Sequence, residues 1–532
     1  MSILDDLKMY GRFAFGLRSF LRNTITLDDA RRTIKHLLAE RENNFLRLVE
    51  RGIYGYKKSP YLPLLKIAGC EFGDIKTMVR QKGLEETLMA LREAGVYVTF
   101  EECKGRKTIV RGGREFPIRA NSFDNPFLKV QYYSESGGST GVGTRVQHDL
   151  DHLAVIAAHE MVTYDAHGVV DLPKAEWRGV LPDGSGIDNM LRLSHFGRPP
   201  QKWFSPLNPY DFSPSQFKYR FSSLLTVIIG RMVGVPLPWP KQVKVEEASV
   251  VAHWAADTIK KEGSCYINAP VSRALRVCIA AREEGLDLTG AVFRVAGEPV
   301  TPAKVKGITS IGARVFTTYG FSEIGRIGMG CSNPVEANDL HLCKSICAMI
   351  PYESPVPGTD IKVPAFTFTS ILPTAPLILL NAESDDYGII ETRSCGCPLD
   401  ELGLTVHLRG IHSYEKLTGE GVTLLGSDML HILEEVLPGR FGGSPLDYQL
   451  LEEEDKDGFT RIILIISPKV NIENEDEVIK AILDFMKKSS AMADSARNIW
   501  SQAHTLKVRR EEPRWTGRGK LMSLHVENRY KK

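Results

Sequence analysis

The chain has 532 residues, a formal net charge of +2, 25% charged residues and 43% apolar ones. That length exceeds one ordinary hydrophobic core, so two or more domains are expected, and the balanced charge gives no support for nucleic acid or a bulk acidic partner. No apolar run is long enough to cross a bilayer, because "FSSLLTVIIGRMVGVPLPWP" is broken by Arg231 and closes in prolines.

The amino-terminal stretch "MSILDDLKMYGRFAFGLRSFLRNTI" reads as an amphipathic helix, and Asp5 and Asp6 speak against a signal or transit peptide. Nine scattered cysteines make a poor disulfide framework. Reduced thiols fit a cytoplasmic protein. From about 25 to 115 the apolar spacing is helical, as in "DDARRTIKHLLAERENNFLRLVERG". A strand, "PFLKVQYYSE", then leads into a glycine-rich loop and a helix, "DLDHLAVIAAHEMVTYDAHG". Short buried strands follow in "GAVFRVAGEP", "ARVFTTYG" and "FTFTSILP", and "VSRALRVCIAAREEG" reads as the helix between two such strands. The pattern predicts an α/β layered domain.

The carboxy-terminal part reads differently. "GSPLDYQLLEEEDKDGFTRIILIISPKV" is two strands around an Asp-Gly turn, preceded by the helix "SDMLHILEEVL" with Ser427 as its cap and followed by the helix "EDEVIKAILDFMKKSS" and the strand "AHTLKVRR". Such an α+β module has the size of a small domain. The boundary is expected in "HLRGIHSYEKLTGEG", giving a large domain over 1–408 and a small one over 409–532.

Two stretches carry chemistry. In "SESGGSTGVGTRV", Gly137, Gly138 and Gly141 let backbone approach an anion, while Ser136, Ser139 and Thr140 offer hydroxyl donors to phosphate oxygens. A nest of this kind binds phosphate without a lysine, and the Gly-Lys-Ser/Thr ending of a Walker loop is absent. On glycine content alone, a surface turn before a helix accounts for it equally well. In "TTYGFSEIG", Tyr319 offers a face to a purine, Ser322 a donor to phosphate, and Glu323 an oxygen ligand for magnesium.

Taken in order, "SGGSTG" and "YGFSE" resemble the phosphate loop and the Tyr-Gly-x-Ser/Thr-Glu block of the adenylate-forming superfamily, which activates carboxylic acids as acyl-adenylates. The resemblance runs from about residue 55 onward and implies a large multi-layer α/β domain with a small, mobile α+β domain. It assigns Gly297, Glu298 and Pro299 of "AGEP" to the loop that meets adenine and borders the acyl pocket. Tyr319 and Gly320 belong to the nucleotide block, and Asp386 of "ESDDYGIIE" is given the ribose hydroxyls, with Asp385 as the alternative. Arg409 resembles the arginine before the interdomain hinge, and Lys520 of "TGRGK" the catalytic lysine. Thr140, Glu323 and Lys520 would carry the catalytic roles. Within the superfamily the chain looks most like phenylacetate-CoA ligases, whose loops also lack the terminal lysine; Thr144 stands in that place. The hinge stretch "GIHSYEKLTGEGVTLLGSDML" is longer than the family's, which leaves the hinge residue and any role of Lys416 open.

Cys331, His341, Cys395 and Cys397 form a Cys3His set suited to tetrahedral zinc, with Cys343 as an alternative ligand. The relatives carry cysteine and histidine at similar places, which implies a structural staple. Buried reduced cysteines beside a chance histidine would look the same. His148, His152 and His159 fall near one helical face and read as packed side chains.

The expected activity is therefore ATP-dependent, AMP-forming ligation of an aryl or fatty acid to coenzyme A, with ATP, Mg2+ and coenzyme A as small-molecule partners. Transfer to an amine, a carrier-protein thiol or an enzyme cysteine is an alternative, as is a non-catalytic nucleotide-binding module. No nucleic acid or membrane span is expected. The oligomeric state is open, a homodimer being one option.

Overall fold

The computed structural model describes residues 3–119, 121–135, 145–355, 362–413, 416–420, 422–425, 429, 431–487, 491–514 and 524–526. Two functional expectations fall elsewhere. Ser136, Gly137, Gly138, Ser139, Thr140, Gly141 and Thr144 lie outside the described residues, as does Lys520. No described helix is long and apolar enough to cross a membrane.

Helices from Ile3–Arg22 to Phe100–Cys103 form the leader, which ends in the hairpin Ile109–Arg111 with Arg114–Phe116. The helix Leu27–Ala39 shows how firmly local sequence sets such boundaries. Thr26 accepts from the Asp29 amide at 3.2 Å and its own amide donates to the Asp29 carboxylate at 3.0 Å, a reciprocal cap.

The large domain is organised by a twelve-stranded sheet. One half is parallel, in the spatial order Arg314–Phe321, Ala291–Val295, Cys265–Ala269, Lys174–Trp177, Lys202–Ser205, Pro240–Gln242. Cys265–Ala269 and Ala291–Val295 are buried at every position. That is what helices on both faces of a parallel sheet require, and it explains the continuous apolar runs. The other half is antiparallel and runs from Cys347–Pro355 through Lys362–Ser370, Ala382–Thr392, Val406–Ser413 and Leu340–Leu342 to Gly325–Gly330, which joins Arg314–Phe321.

Where the halves meet, three arginines converge on one buried carboxylate. Glu160 pairs with Arg192 at 2.9 Å, Arg326 at 2.6 Å and Arg294 at 3.2 Å. Burial alone would raise its pKa, but Arg192, Arg294 and Arg326 together hold it at about 2. Glu160→Gln leaves the guanidiniums short of a counter-ion and is expected to cost about 3 kcal/mol of stability, read as a shift in the denaturant midpoint. A shift near zero would mean that the arginines compensate one another.

The small domain is α+β. Its four-stranded sheet runs Leu506–Arg510, Thr460–Ile466, Tyr448–Glu454, Leu524–Val526. The helices Glu475–Lys487 and Ala491–Ala503 lie beside each other, and their apolar side chains share a core with the sheet. The second helix was not anticipated, because its apolar stripe is narrow and polar residues fill much of "ADSARNIWSQA".

Two boundaries differ from expectation. The strand Val406–Ser413 pairs with Ala382–Thr392 through to Ser413, so a division at 408/409 cuts a strand of the large sheet. The glycine loop does not pass directly into a helix. Its flanks, Tyr132–Glu135 and Arg145–His148, pair antiparallel, and the helix Leu150–Ala166 begins after them at the cap Asp149.

Candidate functional site

The parallel strands bring distant residues to one edge. In register, Glu176 aligns with Asn268, Ala269 with Val295, and Val295 with Thr317. The chain leaving these strands therefore places Arg178, Pro270 to Arg273, Ala296 to Glu298 and Tyr319 to Glu323 side by side. Carboxyl ends of parallel strands are where α/β sheets bind ligands. The stem of the glycine loop is held there too: the Glu135 amide donates to the Pro182 carbonyl at 3.1 Å, and Tyr219 donates to the Glu135 carboxylate at 2.6 Å.

The Tyr-Gly block is shaped by a tight strand reversal. A Cβ at Gly320 would overlap the Gly325 carbonyl, so the Arg314–Phe321 to Gly325–Gly330 turn admits only glycine. This turn presents Tyr319, whose hydroxyl donates to Asp386 at 2.6 Å. Burial and then the Asp386 charge push the phenol well above its ordinary pKa, so it remains a donor. The structure thus joins the aromatic and the carboxylate that sequence reasoning assigned to base and ribose. Asp385, the alternative, is buried and accepts from Ser413 at 2.6 Å. Ser322 is half-buried beside Glu323.

Glu323 is buried and forms an ion pair with Lys104, at the end of the helix Phe100–Cys103. No motif announced Lys104, which stands 219 positions away in sequence. Gly297 takes φ +89°, a turn that suits glycine, and delivers Glu298 into the interior. Burial raises the Glu298 pKa; its carboxylate accepts from Ser272 and lies 3.9 Å from the buried ammonium of Lys304. The Pro299 carbonyl accepts from Lys304 at 3.3 Å.

This loop also receives the small domain. Lys304 donates to Thr460 at 3.0 Å and Thr301 to Glu454 at 2.6 Å, while Phe459 packs into the large-domain core under Arg276. Arg276 in turn pairs with Glu420 at 2.8 Å. Arg409 sits within its strand, gripped by Glu391 through two contacts of 2.9 Å and by Glu336 at 3.3 Å.

The Cys3His expectation is met geometrically. One ligand atom from each of Cys331, His341, Cys395 and Cys397 lies within 4.8 Å of the others. His341 Nε2 is 3.1 Å from the Cys397 sulfur and 3.6 Å from that of Cys395, and the Cys331 and Cys395 sulfurs are 3.6 Å apart. His341 Nδ1 donates to the Leu404 carbonyl at 2.6 Å, which leaves Nε2 as the lone-pair nitrogen facing the sulfurs. Around them, the Asn333 amide points at Cys331 sulfur at 3.3 Å, and Asp400 accepts from the amides of Cys395 and Gly396 at 3.0 and 2.9 Å. Cys343 is buried and lies outside this group.

The three histidines are packed, as the sequence suggested. His148 meets Ser134 at 2.7 Å, His152 meets Thr374 at 3.3 Å, and His159 lies between the Val155 carbonyl at 2.9 Å and Ser345 at 2.7 Å. Burial pushes His152 and His159 down from 6.5 to about 4. Above pH 6.5 both rings are neutral folded or unfolded, and stability is full. As pH falls toward 4 the unfolded chain takes up protons that the buried rings refuse, so stability is lost across that window. Denaturant midpoints between pH 4 and 7 are expected to fall with acid, with a shallower slope in His159→Gln; an equal slope would place the titration elsewhere.

No protein-family model matches the chain, and no curated protein matches it. Among solved structures, it is similar to a 2-hydroxyisobutyryl-CoA ligase in complex with 2-HIB-AMP and CoA in the thioesterification state, at 16% identity and a TM-score of 0.54 over 92% of this chain and 90% of that one. It is also similar to an o-succinylbenzoate CoA synthetase from Bacillus subtilis, at 12% identity and a TM-score of 0.44 over 82% and 80% of the two chains. An amide bond synthetase from Marinactinospora thermotolerans gives 11% identity and 0.42 over 95% and 98%. The large α/β domain with its twelve-stranded sheet and the smaller α+β domain together share the fold of that 2-hydroxyisobutyryl-CoA ligase.

Proposed function

We propose that the protein is an ATP-dependent, AMP-forming acid-thiol ligase that activates a carboxylic acid as its acyl-adenylate and passes the acyl group to coenzyme A. The observation that carries this reading is the Tyr319–Asp386 contact at the carboxyl edge, beside Glu323 and above the stem of a hydroxyl-rich loop. Tyr319 supplies a face for adenine, Asp386 the acceptor for ribose hydroxyls, and the 136–141 stretch the amides and hydroxyls for phosphate. Glu323 is the oxygen ligand for magnesium, which supplies charge neutralisation at the phosphates when bound. The acid's carboxylate oxygen attacks the α-phosphorus, the bond to the β-bridging oxygen breaks, and pyrophosphate leaves with that electron pair. The protein's part is positioning and charge stabilisation. Lys520, on a small domain that begins after the strand Val406–Ser413, meets the reacting groups, and domain rotation then admits the thiol. The loop ending in Thr144 makes the chain phenylacetate-CoA ligase-like, and coenzyme A is preferred over an amine or protein thiol as acceptor. The Cys3His set holds structural zinc.

Carboxylate-dependent exchange of labelled pyrophosphate into ATP tests the first half-reaction, and separate readout of AMP and thioester tests the acceptor. Asp386→Ala removes the ribose acceptor and is expected to raise the KM for ATP by about tenfold or more; an unchanged KM would move the role to Asp385. One observation favours a second reading. Glu323 is already neutralised by Lys104, which suits a nucleotide-binding module without turnover. Absence of exchange across a broad acid panel would favour that module.

A further inference from the structure

Between the loop stem and Glu298, the same edge carries a surplus of buried positive charge. Arg178, Arg220 and Arg273 are all buried. Arg178 leaves the strand Lys174–Trp177 and donates to Asn268 Oδ1 at 3.1 Å and the Ala269 carbonyl at 2.9 Å. Arg273, in the first turn of the helix Val271–Glu283, reaches back to the Trp177 carbonyl at 3.2 Å and to the Glu420 carbonyl at 3.3 Å. Arg220 donates to the Leu181 carbonyl. The three guanidiniums therefore surround the Trp177–Leu181 segment, and every partner they have is a neutral oxygen.

The nearby acids act on these guanidiniums only through space: the charge of Asp183 reaches all three, that of Glu420 reaches Arg273 and that of Glu176 reaches Arg178, with no ion pair among the described residues. Asn268 stands between Arg178 and Glu176, giving its amide to the Glu176 carboxyl at 2.5 Å. The Glu420 carboxylate serves Arg276. Among the described residues none of the three arginines forms an ion pair, and the Nε of each is buried without a hydrogen-bond partner. Burial, and then the like charge of Arg294, lowers Arg178 to about 10 against the opposing charges of Glu176 and Asp183. A buried cation without its counter-ion is costly, and planar guanidiniums with spare donors suit a carboxylate.

We propose that Arg178 and Arg273, backed by Arg220, bind a second anionic group on the acid substrate, so that the preferred substrates are dicarboxylates or acids with a comparable distal anion. This rests on the acyl-activating reading above for what occupies the edge, while the anion site itself stands on the arginines. It departs from an aryl or fatty acid with a purely apolar tail.

Calorimetric titration of the full chain with succinate, glutarate and adipate, each against the monocarboxylate of the same length, tests the site without turnover. At least one dicarboxylate is expected to bind about tenfold or more tighter than its monoacid, the size of one charge-assisted contact, and Arg178→Gln and Arg273→Gln are expected to abolish that preference. Equal binding of mono- and dicarboxylates would overturn the proposal, and so would a preference untouched by both substitutions. Should Arg178→Gln fail to fold, Arg178→Lys keeps the charge and loses the fork: a preference reduced several-fold supports the site, and an unchanged one overturns it. Pyrophosphate exchange separates the two readings. Arginine-dependent dicarboxylate binding with no exchange for any acid would sink adenylation and leave the anion site, whereas exchange confined to monocarboxylates would do the reverse.

Discussion

Lys520→Ala is expected to reduce acid-dependent pyrophosphate exchange by about 10²–10³-fold, the loss typical of one pre-aimed electrostatic donor, with ATP binding retained. The residues around it set the terms. On one side of Lys520 the chain is tied to the small sheet by a double contact: the Arg514 amide donates to Gln449 Oε1 at 2.8 Å, and Gln449 Nε2 donates to the Arg514 carbonyl at 3.0 Å. On the other side Leu524 pairs with Leu450. Both anchors are on the strand Tyr448–Glu454. In the proposed function Lys520 moves with the small domain, and a second consequence follows. Thioester formation from pre-formed acyl-adenylate is expected to survive Lys520→Ala, because the lysine has left by then. Undiminished exchange in the variant would remove Lys520 from the first half-reaction altogether, and loss of both half-reactions would point to a structural role.

What was legible in the sequence was local chemistry. "YGFSE" could be read because a strand reversal that tolerates only glycine at 320 holds its functional residues within five positions. "CGCP" could be read because two thiols one residue apart can reach the same point. Two of the parallel strands, Ala291–Val295 and Arg314–Phe321, were legible from their apolar runs, and the other four were not. What escaped depends on chain reversal over long distances. Lys104 lies in the helical leader, with nothing in its neighbours to mark it, and only the packing of that leader brings it to Glu323. Arg178 and Arg273 belong to no motif read in the sequence, and only the fold places them under cover. The expected division at 408/409 falls inside a strand for a related reason. "HLRGIHS" has the glycine and polar content of a linker, but its backbone pairs with Ala382–Thr392 and its side chains are held by partners from elsewhere, as Glu391 holds Arg409.

Stoichiometric zinc is the second large expectation. Protein purified under reducing conditions is expected to carry one equivalent, and cobalt substitution should give the thiolate charge-transfer band of a tetrahedral Cys3His site. The energetic argument rests on what the ligands join. Cys331 ends the strand Gly325–Gly330, His341 lies in Leu340–Leu342, and Cys395 and Cys397 flank a left-handed glycine, Gly396 at φ +69°, in the turn after Ala382–Thr392. The paired strands Gly325–Gly330 and Leu340–Leu342 and the turn after Ala382–Thr392 would thus share one ion, at the far end of Gly325–Gly330 from the strand reversal that presents Tyr319. Structural zinc is worth about 10–16 kcal/mol in small peptides that fold only with metal; here the surrounding core already holds the strands, so that value is a ceiling. With free zinc about a thousandfold above its dissociation constant, stripping it costs about 4 kcal/mol, which chelation should reveal as a lowered melting temperature restored by added zinc. Cys397→Ser is expected to lose the metal and most of that stability, because it removes the sulfur closest to His341 Nε2 at 3.1 Å. A protein that binds no zinc or cobalt, and whose melting temperature ignores both chelator and Cys397→Ser, would reduce the cluster to packed thiols beside a histidine.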